Sequence, residues 1–188
     1  MSHPDLLALH AALAAVEDDA QALTRGLTDA QGNWQERPGE SWSIAQCLDH
    51  LTRINTLYMR HFMPVVESAA TRADARPFDG LHPSVLGRMF LKVLEPPPRQ
   101  RVKAPKVSIP ASTLAIDDAR EQYLRSHDGY RRMLELMAGF SVRGLRAQNP
   151  FVPVMPMRLS TVACVIPAHD RRHLWQARQV LQAPGFPR

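Results

Sequence analysis

The chain has 188 residues, 45% hydrophobic and 22% charged, proportions of a globular domain that exclude a disordered or fibrous chain. The 23 Lys and Arg against 18 Asp and Glu leave a net charge of +5, but the cations are mostly scattered arginines, without the clustering or aromatic interleaving that phosphate backbones reward, so no nucleic-acid partner is expected. Two distant cysteines, Cys47 and Cys164, exclude a disulfide framework or thiolate zinc cluster.

No apolar run reaches the roughly 18 to 20 residues that cross a bilayer. The start, Met1-Ser2-His3-Pro4-Asp5, carries an early acid and no basic stretch of a secretory signal. The expectation is one soluble, cytoplasmic domain spanning 1–188, with no membrane partner.

The first helical segment runs over about 5–25, with Leu6, Leu9, Leu13, Val16, Ala20 and Leu23 spaced by three and four, Pro4 before it and Gly26 after. Leucines and alanines on more than one side of it suit a homodimer through an outer face, or cover by a later loop. The turn-rich linker 31–40 carries Trp34, expected to plug the end of the fold. A second helix opens at Ser43, an N-cap with Gln46 at the capping-box position and Trp42 as a hydrophobic staple partner. Its apolar face runs through Cys47, Leu51, Ile54, Leu57, Tyr58, Phe62 and Val65. Pro64 predicts a kink or an end near 61–63, with a continuation to 68 as the alternative.

Residues 71–116 hold seven of the sixteen prolines. A connection this long is no bundle turn. It predicts a crossover lying over the bundle, with a short helix at 83–93 whose apolar side is Val85, Leu86, Met89, Phe90 and Val93. The third helix starts at Asp117-Asp118 and carries the seam Tyr123, His127, Tyr130, Leu134 and Met137, stepping by four and three to Gly139. After a loop punctuated by Gly144, Pro150, Pro153 and Pro156, the fourth helix spans about 160–182. Pro167 inside it predicts a kink or an irregular first part, because its missing N–H cannot bond Ala163.

The chemistry concentrates in His169-Asp170-Arg171-Arg172-His173. Histidines four apart on a helix lie one turn apart and about 40° apart around the axis, so both rings can aim at one point. At 100° per residue, Val162, Val165, Ile166, Gln176 and Val180 share their face, which places the pair toward the core. His50 shares the inner face of the second helix with Cys47, Ile54 and Leu57. A divalent cation would satisfy three buried imidazoles at once, so His50, His169 and His173 form a candidate three-nitrogen metal site with an open position. The alternative is three separate core hydrogen bonds, to groups such as Tyr58, Tyr123 or Gln176.

Nearby candidates receive other roles. His61 lies about 16 Å along the helix from His50 at 1.5 Å per residue, too far to share an ion. His127 is expected to bond a core tyrosine, with a fourth-ligand or supporting role as the alternative. Cys47 reads as a small buried apolar residue and Cys164 faces away from His169. Arg172 has two readings, an anchor for an anionic substrate or carboxylate, and a surface ion pair. Asp170 points about 100° away from His169, and the glutamate of HExxH metalloproteases is missing. Activation of a thiol therefore fits better than peptide hydrolysis, since a coordinating thiol loses its proton outright. The crossover and the 150–156 loop are the expected pocket walls.

The segment WSIAQCLDHL at 42–51 resembles the helix start of the DinB/YfiT-like superfamily, and HDRRHLWQ at 169–176 resembles its closing helix. The order of elements matches in outline over the whole chain. The resemblance implies an all-α, up-down-down-up four-helix bundle. It also implies a metal site at His50, His169 and His173, holding zinc or nickel first, with manganese or iron as alternatives. Members of that family include S-transferases and isomerases using bacillithiol, mycothiol or glutathione, and the name reflects damage-inducible, stress-related expression. The implied function is a metal-dependent enzyme acting on a small-molecule thiol or electrophile, with hydrolysis second. The other readings are a metal- or ligand-binding bundle without turnover, and a structural bundle with core histidines. No catalytic residue beyond the metal ligands is assigned.

Overall fold

The structure is a computed structural model that describes residues 3–72, 76–98, 103–152 and 154–188. Parts of two sequence expectations, the crossover at 73–75 and 99–102 and Pro153 of the late loop, lie outside the described residues, as do Met1 and Ser2 of the chain start. Helices α1 (Pro4–Thr24), α3 (Ile44–Ala70), the pair α5 (Ile116–Ser126) and α6 (Asp128–Met137), and α7 (Leu159–Leu181) form the bundle. A one-turn helix α2 (Asp29–Gly32) and the crossover helix α4 (Val85–Leu94) join them. A two-residue antiparallel ladder pairs Arg146–Ala147 (β1) with Met157–Arg158 (β2). Among the described residues, no helix is long and apolar enough to cross a membrane.

Cross-helix contacts fix the directions. His50 meets His173, and Asn55 meets Asp170, so α3 and α7 are antiparallel. Asn55 also reaches Ser126, and Gly129 packs on Met59, so α5–α6 runs parallel to α3. Glu17 bonds His127 while Asp29, just past α1, accepts from the Ile116 N–H, so α5–α6 opposes α1. The order is therefore up, down, down, up, as the resemblance implies. The long crossover is what permits it, because two parallel neighbours cannot be joined by a short turn. The predicted seam residues fill the core. Leu6, Leu13, Val16, Phe62, Tyr123, Tyr130, Leu134 and Met137 are all buried.

Four expectations need correction or refinement. Helix α3 does not end near Pro64; it takes the alternative course, past residue 68 to Ala70. Pro64 and Arg60, whose carbonyl loses its partner, both sit on the exposed face, while Phe62, Val66 and Ala69 hold the inner face in place. Helix α7 likewise runs unbroken through Pro167. The Tyr130 hydroxyl donates to the Ala163 carbonyl at 2.6 Å, replacing the bond that the proline cannot make. The third helix is not continuous but turns at His127, where the backbone N–H bonds Leu124 and the Ser126 hydroxyl turns back to Tyr123. Finally, the apolar side of α4 does not face the bundle. Val85, Leu86, Met89, Phe90 and Val93 are exposed, from 41% at Phe90 to 67% at Leu86. The helix instead docks through Gly87, where an added Cβ would stand 2.5 Å from the Thr161 hydroxyl, and through buried Leu94.

Candidate metal centre

Each wall of the centre follows from a local sequence feature. The capping box of α3 is made as predicted: the Gln46 N–H donates to Ser43 Oγ at 3.2 Å, and the Ser43 N–H donates to Gln46 Oε1 at 3.1 Å. This starts the helix in a register that turns His50 inward. Gln46 Nε2 also donates to the Ala111 carbonyl, and Asp49 accepts from the Ala111 N–H at 2.8 Å. These two bonds pin the crossover against α3. The short 3-10 helix Lys106–Ser108 then presents its last carbonyl to His50 Nδ1 at 2.7 Å.

The structure brings His50, His169 and His173 together. They offer ligand atoms all within 4.8 Å of one another, a grouping that could hold a metal ion. His173 Nε2 and His169 Nε2 face each other at 3.2 Å. His173 Nδ1 stands 3.0 Å from Gln176 Oε1, and the ring of Trp42 covers His50 and His173 with centroids 4.6 and 5.6 Å away. A carbonyl oxygen only accepts, so the Ser108 bond puts the His50 proton on Nδ1 and leaves Nε2 with its lone pair. Gln176 Oε1 does the same for His173.

Burial keeps these rings neutral. It pulls His50 below the usual imidazole range against the opposing pull of the Ser108 bond. It pushes His173 down to about 3, helped by His50 and Arg172, and holds His169 well below its ordinary value with His173 and His50 adding to the effect. Neutral imidazoles are the metal-ligating form. His50 and His173 are buried, whereas His169 is partly exposed as a residue, yet its Nδ1 is buried with no hydrogen-bond partner. The donor set, three neutral imidazoles of which two bring their Nε2 atoms face to face, fits a bound cation.

Other sequence candidates fall elsewhere. His61 is half-buried further along α3 and outside the cluster. Cys47 is fully buried, its thiol pushed up by burial, which fits an apolar role. Arg172 Nη1 donates to the Val93 carbonyl at 2.9 Å and so ties α7 to the end of α4. Two clefts, of about 510 Å³ beside α1 and Arg171 and about 420 Å³ between Ala69 and Leu145, are not lined by the histidines. Phe151 of the 150–156 loop packs on Tyr58, two turns from His50.

His127 needs the largest correction. Its ring lies edge-on to Tyr123 at 4.7 Å, but its hydrogen bonds go to carboxylates, not to a tyrosine. Nδ1 stands 2.8 Å from Glu17 and Nε2 stands 2.8 Å from Asp170. Arg131 pairs with Glu17, and Asn55 Nδ2 donates to Asp170 at 3.4 Å. Burial alone would lower the His127 pKa; the two carboxylates outweigh it and raise it to about 9. The sequence held a signal for Asp170. Ala163, Asp170 and Ala177 recur every seven residues on one fully buried stripe, so an acid there required a buried partner.

A four-helix bundle with three neutral imidazoles converging from two of its helices defines a class of helical proteins with a candidate metal centre. A profile of the DinB superfamily matches residues 12–177. The chain belongs to the DinB superfamily. No curated protein and no solved structure matches it.

Proposed function

We propose that His50, His169 and His173 hold a divalent metal, zinc or nickel first and manganese or iron as alternatives, and that the protein transfers a low-molecular-weight thiol to an electrophile. One observation carries this reading. Two imidazole nitrogens face each other at 3.2 Å, close to the separation of about 3.3 Å expected for two nitrogens each 2.0–2.1 Å from one tetrahedral ion. When bound, such an ion supplies a Lewis acid that favours the deprotonated form of a coordinating thiol or water.

The remaining work falls to the chain. Ser108 and Gln176 hold the protons of His50 and His173 on Nδ1, so both rings keep a lone pair toward the common point. Trp42 packs against the rings of His50 and His173, and His169 is the least buried residue of the three. Among the described residues, the carboxylates next to the histidines in sequence are engaged elsewhere: Asp49 is tied to Arg53 and Ala111, and Asp170 to His127 on a different side of α7. That supports thiol activation, which needs no separate base, over hydrolysis.

A second reading, metal held without turnover, draws support from the two clefts, neither of which touches the triad. Elemental analysis of untagged protein tests the metal. It should show about one divalent ion per chain, lost in His50→Ala and His173→Ala; unchanged content in these variants would remove the assignment. Bacillithiol, mycothiol, glutathione and coenzyme A, each offered with an electrophile, test the transfer. Silence with metal present would favour the second reading.

A further inference from the structure

Helix α7 carries two of the three triad histidines and also a proline, Pro167, two residues before the first of them. Without its N–H the helix loses a restraint just where His169 projects. The rotation of α7 about its axis also matters for both rings. A histidine Nε2 stands roughly 7 Å from its helix axis, so a turn of about 4° moves it by about 0.5 Å, the tolerance within which a constellation must be held. The buried stripe beside Pro167 carries Leu159, Ile166 and Leu174 together with Ala163, Asp170 and Ala177; at Ala163 and Asp170, on either side of the proline, apolar bulk is lacking and hydrogen bonds hold the helix.

The neighbouring helix supplies the restraint at two points. The Tyr130 hydroxyl donates to the Ala163 carbonyl at 2.6 Å, before the proline. His127, three residues earlier and on the same face, bonds Asp170 at 2.8 Å, after the proline. Glu17 of α1 holds the other nitrogen of His127, also at 2.8 Å, and Asn55 of α3 reaches the other oxygen of Asp170. The junction therefore joins all four helices of the bundle, with Asp170 and His169 adjacent in sequence and aimed in different directions.

Resting on the metal reading above, we infer that His127 and Tyr130 are positioning residues for the metal centre: they clamp α7 on either side of Pro167 and so set the aim of His169 and His173. The clamp touches no ligand ring. It acts through the backbone and through Asp170. Directional bonds suit this task better than apolar packing, because they fix rotation as well as distance.

Cobalt(II), added to the metal-free full chain, is the probe, read by its visible ligand-field absorption and by competition with a chromophoric chelator. Tyr130→Phe keeps the ring and loses only the bond to Ala163; His127→Gln removes the link between Glu17 and Asp170. Each should weaken cobalt binding about 10-fold or more and change the absorption bands, while far-ultraviolet circular dichroism stays that of the wild type. Pro167→Ala restores the N–H that Ala163 lacks, so adding it to Tyr130→Phe should recover the wild-type spectrum and most of the affinity. Wild-type cobalt spectra and affinity in both single variants, with only a lower melting temperature, would overturn the clamp. So would a Tyr130→Phe defect that Pro167→Ala leaves in place. If one single variant fails to fold, the other decides. If the wild type takes up no cobalt, the metal reading itself falls and takes the clamp with it, an outcome distinct from variants that bind as the wild type does.

Discussion

At the residue scale, the histidines depend on what holds their second nitrogens. Ser108 does this with a backbone carbonyl, which no side-chain substitution removes, so Gln176 is the accessible test. Its Oε1 fixes the proton of His173 on Nδ1. Gln176→Leu should weaken zinc binding about 10- to 100-fold with little change in fold, measured by competition with a chromophoric chelator. An unchanged affinity would show that His173 needs no such partner. Trp42 gains from the packing a role that its position does not announce: it stands before Ser43, where a helix staple is expected, and its ring also lies against those of His50 and His173.

At the element scale, α4 has its contact face and its apolar face on different sides. Gly87 allows close approach to α7, and adding one methyl group would drive it into both Oγ1 and Cγ2 of Thr161, at 2.5 and 2.9 Å. Rotating the threonine cannot clear both atoms. Gly87→Ala should therefore cost about 1–3 kcal/mol, less the small gain in helix propensity. Leu86 is 67% exposed, and Leu86→Gln should change stability by no more than about 0.5 kcal/mol. Urea unfolding of the two variants checks the pair. Equal effects would mean that α4 docks by the other face. Proline behaves in a similarly context-dependent way along the chain. Pro64 is tolerated because Arg60, whose carbonyl it leaves unbonded, lies on the exposed face, and Pro167 because Tyr130 supplies a donor.

At the scale of the whole molecule, a buried charged group couples folding to pH. His127 has a folded pKa of about 9, raised from 6.5. A group raised in this way stabilises fully below its unfolded value and loses that contribution as pH climbs through the folded one. The metal-free protein should therefore lose stability between about pH 6.5 and 9, and His127→Gln should be flatter across that window. Urea midpoints measured at several pH values decide this; parallel profiles for the two proteins would refute it. Metal should act in the opposite sense. An ion held only by the folded state adds about 4 kcal/mol at a free concentration 1,000 times Kd. Zinc should thus raise the melting temperature of the wild type and leave that of His173→Ala in place. A zinc effect that survives in His173→Ala would locate binding elsewhere.

The seam of leucines and tyrosines at three- and four-residue spacing, the Ser43–Gln46 capping box and the placing of His169 and His173 on one face were all readable from the chain. These features repeat with the helical period, and each is decided within one turn or along one face. The inward aim of His50 was readable for the same reason. What pairs across helices was not. The Ser108 carbonyl at His50, the Tyr130 hydroxyl that carries α7 through Pro167, and the bridge from Glu17 through His127 to Asp170 join residues between 33 and 110 positions apart. A helical period says which way a side chain points, but not which atom of another helix lies opposite. Only the packing of the four helices supplies that atom, and a buried polar group must then bond whatever the packing brings.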